Sequence, residues 1–278
     1  MLSINQCYLD FVDKILKQGK ETYKDSNHHL MESLGNFYII DDPLNLKFKA
    51  KYQNYTTDMM LADIKSGKYD LEGCPIKSDA LYEYVKSAEN PDDQGFVYTY
   101  PNRIYAHFDI DQFNTMKKRI LNATGSNRAV AVTIDPQLDA DREDIPCLQF
   151  LQCIVRDNEL TIHCIFRSND VFGAFYSNMF FIAYLGLKMK EEVNKEIMGK
   201  KLNFGGVHYH STSGHIYNTD LKAARKLIKV NNSAPVQFPI VFKRWLMWKV
   251  SIAKRGVNKL CLGIWILKEK FIKSGNIL

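Results

Sequence analysis

The apolar positions of this chain fall into stretches with a helical period and stretches that alternate. Leu9, Phe11, Val12, Ile15 and Leu16 recur along one helix face and the stripe stops at Gly19, which predicts a helix over 8–17. Residues 36–49 read as extended, with a turn at Asp41-Asp42-Pro43, and 65–94, rich in Lys, Asp, Gly and Pro, as loop broken by a short helix. Residues 112–121 read as helix and 129–134 as a buried strand ending at Pro136. The clearest local signal is a hairpin of 148–155 and 159–166 joined by Arg156-Asp157-Asn158. In its second strand Leu160, Ile162, Cys164 and Phe166 alternate with Thr161, His163 and Ile165. Residues 178–197 carry the strongest helical pattern, and 199–214 read as loop with one short strand. Strands and helices mix without a regular β-α-β rhythm, which predicts an α+β fold: a large mixed sheet flanked by helices.

Composition changes this picture little. The 278 residues are 46% hydrophobic and 24% charged, ordinary globular values that allow a sizeable core without disulfides. The cysteines at 7, 74, 147, 153, 164 and 261 form no C-x-x-C pair and no zinc-like pattern with histidine, so no metal is expected. The longest apolar stretch, Met179–Leu187, is too short to span a bilayer. With no leader peptide in view, these features predict a soluble, cytoplasmic protein with free thiols. Net charge is +6, unevenly spread: from Leu221 onward the only acid is Glu269 among many Lys and Arg, whereas the preceding residues are net negative. The tail from Phe238 also holds all three tryptophans. Such a segment reads either as a solvated basic surface or as a contact for nucleic acid or anionic lipid.

Cys147 follows Asp144-Ile145-Pro146 and precedes the first hairpin strand, where a side chain can face a cleft. By itself it reads equally as a small buried hydrophobe. Arg167-Ser168-Asn169-Asp170 ends the second hairpin strand and so returns to the same end of the sheet. A planar charged fork beside a hydroxyl suits a phosphate, and an arginine near a cysteine favours the nucleophilic thiolate. The plainer reading is a surface Arg–Asp pair.

Further residues make the set specific. Pro146-Cys147, Arg167-Ser168-Asn169-Asp170, Phe172-Gly173, Asn178 and His215-Ile216-Tyr217 occur in an order that resembles the thymidylate synthase family, which includes phage deoxypyrimidylate hydroxymethylases. Tyr8-Leu9-Asp10, Gly95-Phe96-Val97-Tyr98, Asn127-Arg128 and Asp135-Pro136 support it. The similarity is good over 95–220, faint over 1–60 and absent after about 225, and the tetrad followed by Phe172-Gly173-Ala174 looks most like compact archaeal-type and phage-type members. The resemblance implies a single catalytic domain over 1–225 and a basic, Trp-containing segment over 226–278.

It also implies a chemistry. Cys147 would add to C6 of a uracil ring and make C5 a carbon nucleophile, with 5,10-methylenetetrahydrofolate supplying the one-carbon unit. Arg167, Ser168 and Arg128 match phosphate-binding positions, Arg128 being lent by the partner subunit of a homodimer. Asn178 matches the asparagine that reads the pyrimidine edge, where cytosine-specific relatives carry aspartate; it also reads as a helix N-cap. His215 and Tyr217 match the residues that hold the sugar 3′-hydroxyl, Asp170 a folate contact, and Tyr98 a tyrosine linked through water to C5 deprotonation. His163, His208 and His210 read as structural.

The departures are as informative. Lys24-Asp25-Ser26-Asn27 replaces the usual arginine-bearing loop, leaving Lys24, His28 or His29 as substitutes, and Asn127 stands where a paired arginine is usual. The catalytic glutamate has no clear counterpart; Asp58 or Asp63 are the candidates, and Tyr82 stands for the folate-side tryptophan. The resemblance therefore implies deoxyuridylate (dUMP) to thymidylate (dTMP) first. A hydroxymethylase acting on dUMP or dCMP, admitting water instead of hydride, is the alternative. A silent nucleotide- or nucleic-acid-binding relative is the third reading.

Overall fold

Ser3 and Gln6 cap each other's backbone at the start of α1 (Ile4–Gln18), and the apolar stripe of this helix, with Tyr8, Phe11, Val12 and Ile15 buried, ends at Gly19. The fold described here is that of a computed structural model, in which residues 1–23, 29–47, 49–92 and 95–232 are described. After α1 come β1 (Lys20–Tyr23), β2 (His29–Ile40), α2 (Thr57–Lys65), α3 (Ser78–Lys86), α4 (Tyr100–Tyr105) and α5 (Gln112–Asn122). Then follow β3 (Val130–Val132), β4 (Leu148–Arg156), β5 (Glu159–Asp170), α6 (Phe175–Glu196), β6 (Asn203–Tyr217) and α7 (Leu221–Asn232).

The six strands form one sheet in the order β1-β2-β6-β5-β4-β3. Only β5 and β6 are parallel. A parallel pair needs a crossover, and α6 supplies it. Being a crossover under the rest of the fold, α6 is apolar nearly all round: Phe175, Met179, Phe180, Phe181, Ile182, Leu185, Leu187 and Val193 are all buried. Tyr209, Phe166, Cys164, Ile162, Leu151 and Cys153 point from the sheet into this layer. On the opposite sheet face Phe37, Ile39, Val130, Val132 and Ile165 are exposed.

The structure bears out the α+β class and the hairpin, and corrects several boundaries. The stretch 199–214 is not mainly loop: β6 runs fifteen residues through the sheet, between β2 and β5. Its glycines are what such a central position requires. A Cβ at 206, where φ is +116°, would overlap the Ile40 carbonyl, and one at 214 would overlap the Phe11 ring. Strand β2 ends at Ile40 rather than continuing to 49, and α3 with a following 3-10 turn over Ser87–Glu89 orders much of 65–94. Helix α6 starts at Phe175, so Asn178 lies in its first turn and is not its N-cap. Helix α7 crosses position 225 and packs Ala224 and Leu227 inward. The tryptophan-bearing tail lies outside the described residues, as do Lys24 and His28.

Candidate active site

Strand β4 begins where two tyrosines hold it. The Leu148 amide donates to Tyr100 Oη at 3.3 Å, and the Cys147 amide donates to the Tyr98 hydroxyl. From the other side the Arg167 amide donates to the Cys147 carbonyl at 2.9 Å. Pairing is irregular between Leu148 and Phe150, a distortion common beside functional sites, and Cys147 is left half-buried at the lip of the sheet.

Here a cavity of about 520 Å³ opens, within the ~300–1,000 Å³ usual for small-molecule sites. Cys147, Tyr98, Asn178 and Asp170 all line it. So do Tyr84, Tyr100, Asn169 and Phe181, and near its mouth Phe96, Val97 and Asp144. Asn178 is 6% exposed; its Oδ1 accepts from Tyr84 Oη at 2.9 Å and its Nδ2 donates to Asn169 Oδ1 at 3.4 Å. Burial pushes the Asp170 carboxyl above the ordinary range although the Gly173 amide donates to it at 3.0 Å. Burial, then the neighbouring Cys147 thiol, push the Tyr98 phenol up, so it stays protonated at neutral pH.

The remaining predicted residues occupy less direct places. Arg167 turns its guanidinium onto the loop ahead of the cysteine, Nε donating to Pro146 O at 3.1 Å and Nη2 to Ile145 O at 2.8 Å. Ser168 Oγ lies 3.3 Å from His215 Nδ1, and the His215 and Tyr217 rings meet edge to face at 5.1 Å. These four stand next to the cavity along β5 and β6 without lining it. Arg128 is exposed just before β3 and is likewise absent from the lining.

The early carboxylates lie elsewhere. Asp58 is exposed on α2, and Asp63 is engaged with Tyr55 Oη at 2.5 Å, with Tyr69 Oη at 3.4 Å and with Lys68. Neither lines the cavity. The Tyr82 ring sits between Lys65 and Lys86, whose Nζ atoms are 5.2 and 5.6 Å from its centroid. Tyr84 is the tyrosine of α3 that faces the cleft. The sequence held the signal: Leu81, Tyr84, Val85 and Ala88 share one helix face, while Tyr82 is about 200° from Tyr84. Asn169 and Tyr100 carried no such signal. His163 and His208 lie side by side on neighbouring strands, their rings tilted by 54° with centroids 4.3 Å apart, on the sheet face away from the cavity.

The loop before Cys147 is anchored by charge. Arg103 of α4 and Asp139, each 1% exposed in the side chain, pair at 2.7 Å, and His107 Nε2 lies 2.7 Å from Asp135 Oδ2. Among the described residues the five cysteines are free thiols, no group of three or more side chains is suited to a metal, and no helix is long and apolar enough to cross a membrane.

A mixed sheet with a half-buried cysteine, a buried amide and a buried carboxyl around one cleft defines an α+β enzyme-type fold with a small-molecule cavity at the strand ends. The sequence model of the thymidylate synthase family matches residues 6–244, and the chain belongs to that family. A protein of Methanothermobacter marburgensis is 30% identical over 226 residues, 81% of this chain and 95% of the relative. One of Methanothermobacter thermautotrophicus is 32% identical over 218 residues, covering 78% and 92%. A third, of Methanocaldococcus jannaschii, is 27% identical over 224 residues, covering 77% and 88%. All three bear the name "Putative thymidylate synthase". Family membership implies a folate-dependent pyrimidine methyltransferase and a methylenetetrahydrofolate co-substrate.

Proposed function

We propose that this protein converts dUMP to dTMP, with Cys147 as the nucleophile. The observation that carries the reading is the placement of the Cys147 thiol in one cavity with the base-reading amide of Asn178 and with Tyr98. The Cys147 sulfur bonds to C6 of the pyrimidine, the electron pair of the C5–C6 double bond moves toward C5, and C5 becomes nucleophilic. Asn178 offers an acceptor to N3–H and a donor to O4. Tyr98, protonated and beside Cys147, positions the water that accepts the C5 proton. Arg167 holds the Ile145–Pro146 backbone and thereby the sulfur; with two of its donors so used, its other N–H groups serve the phosphate together with Ser168. His215 and Tyr217 meet the sugar. Asp58 and Asp63 have no part in this reaction.

The co-substrate fits as well. Phe181, Tyr84 and Phe96 offer flat apolar surface, and Asp170, with its raised proton affinity, is a hydrogen-bonding partner for a heteroaromatic ring. Methylenetetrahydrofolate would supply the carbon and, for a methyl product, the hydride.

A homodimer is part of the proposal. The exposed strip of Phe37, Ile39, Val130, Val132 and Ile165 is an apolar sheet face of the kind that a second copy covers, and Arg128 adjoins it, outside the cavity of its own chain.

The test is one turnover of purified protein with dUMP and methylenetetrahydrofolate, followed by product mass. A methyl product with dihydrofolate is expected. A hydroxymethyl product with tetrahydrofolate would replace the reading by the hydroxymethylase reaction. Absence of any Cys147-linked adduct with a 5-fluorinated dUMP analogue and folate would remove the enzymatic reading altogether.

A further inference from the structure

Thiol addition to the ring creates a charge that a donor must meet. As the Cys147 sulfur bonds to C6, the electron pair of the C5–C6 double bond spreads through C4 onto O4, which becomes an enolate oxygen. Donors fixed beforehand where such charge develops lower the barrier, and an enolate oxygen takes more than one. Asn178 supplies one through Nδ2, whose other hydrogen is directed to Asn169 Oδ1 at 3.4 Å.

The carboxylates do not supply the next. Asp58 and Asp63 lie outside the cavity. Asp92, Asp144 and Asp170 line it, but an ionised carboxylate only accepts, and none of the three is hydrogen-bonded to the Asn178 side chain.

Three tyrosines line the same cavity, and their hydroxyls are placed differently. Tyr100 Oη accepts from the Leu148 amide at 3.3 Å and Tyr98 neighbours the Cys147 thiol, so both serve the strand end that carries the sulfur. Tyr84 Oη instead donates to Asn178 Oδ1 at 2.9 Å, the atom assigned above to N3–H. Its hydroxyl therefore stands at the pyrimidine edge. Oδ1 keeps a second lone pair for N3–H, and rotation about the phenol C–O bond can turn the Tyr84 hydrogen toward a charged acceptor beside it. Phe181 packs against the Tyr84 ring, centroids 5.8 Å apart. Burial, then Tyr98 and Cys147, push the Tyr84 phenol up, so it carries its hydrogen at neutral pH.

We propose that Tyr84 is a catalytic residue, the donor whose hydroxyl meets O4 as Cys147 adds to the ring. This rests on the pyrimidine-nucleotide reading above. The phenol shares its hydrogen with O4 in a charge-assisted bond while the S–C6 bond forms. That bond weakens again when the electron pair returns to C5 to make the new carbon–carbon bond, and no proton is consumed.

Tyr84→Phe tests this, since it removes the hydroxyl and keeps the ring. For the variant and the wild type, calorimetry gives dUMP affinity and steady-state assays give kcat. The rate of covalent attachment of a 5-fluorinated dUMP analogue with methylenetetrahydrofolate isolates the steps before any proton leaves C5. In the variant, kcat and the attachment rate should fall about 100-fold. Affinity for dUMP should change less than about fivefold, with the thermal midpoint close to that of the wild type. With 4-thio-dUMP, whose sulfur is a poorer acceptor than O4, the gap in kcat between the two proteins should narrow to less than about tenfold. A gap of the same size with both nucleotides, or variant rates within about threefold of the wild type, overturns the proposal. So does weaker dUMP binding with kcat unchanged, which would make Tyr84 a brace for Asn178 only. A wild type that neither binds dUMP nor attaches the analogue fails the function reading itself, and this proposal falls with it.

Discussion

Replacing Asp139 by Asn keeps the size of the side chain but removes the counter-charge of Arg103. Both side chains are 1% exposed and pair at 2.7 Å, so the guanidinium would be left charged in a dry interior. Breaking such a pair from one side costs about 3–5 kcal/mol. At about 2–4 °C per kcal/mol for a body of this size, the melting midpoint should drop by roughly 6–20 °C. Arg142, whose Nη1 is 4.0 Å from the same carboxyl, adds positive charge and cannot compensate. The loss should be visible at the site too: Asp139 Oδ2 accepts from the Asp135 amide at 2.8 Å, and the loop thus held leads to Cys147. Denaturant titrations and thermal melts at neutral pH give the magnitude, and the alkylation rate of Cys147 gives the local effect. The double variant Arg103→Met, Asp139→Leu buries no charge and should lie within about 2 kcal/mol of the wild type. Single variants that lose less than about 1 kcal/mol would refute the reasoning, because the guanidinium would then be reaching water.

Gly214→Ala should destabilise by about 1–3 kcal/mol in denaturant titration, because its methyl overlaps the Phe11 ring. Burial, with His208 alongside, lowers the His163 imidazole from 6.5 to about 4. The folded state then binds fewer protons than the unfolded one, so stability is present above pH 6.5 and falls through the window down to about 4. His163→Gln should flatten part of that slope, and denaturation midpoints across the window check it. Asp58→Asn, on an exposed carboxylate away from the cavity, should change turnover less than about twofold. Asp63→Asn should cost about 1–2 kcal/mol through Tyr55 and Lys68 and leave KM unchanged in steady-state assays.

Helix α1 and the β4–β5 hairpin were legible because their signals are local: a stripe of period 3.6 closed by a glycine, and strict alternation across a tight turn, which the structure narrows to the two residues Asp157-Asn158. The order Cys147, Arg167, Ser168, Asn178, His215 was legible as a family pattern. The placement of Cys147, Asn178, Tyr98 and Asp170 on one cavity agrees with that pattern. Strand β6 was hidden because its glycines and serines read as loop when neighbours are out of view. Asp58 and Asp63 were drawn into the candidate list by residue type, which says nothing about where α2 packs.

The sequence alone determined which stretches can form helix or strand and which side chains bear chemistry, since covalent order and residue period are properties of the chain itself. Only the tertiary structure decided that β6 lies beside β5, that Tyr84 and not Tyr82 meets Asn178, and that Arg167 grips the backbone ahead of the cysteine. Those outcomes depend on contacts between residues far apart in the chain, such as Tyr84–Asn178 and Asn169–Tyr209. In a dry interior each polar group must find its partner wherever the packing puts it.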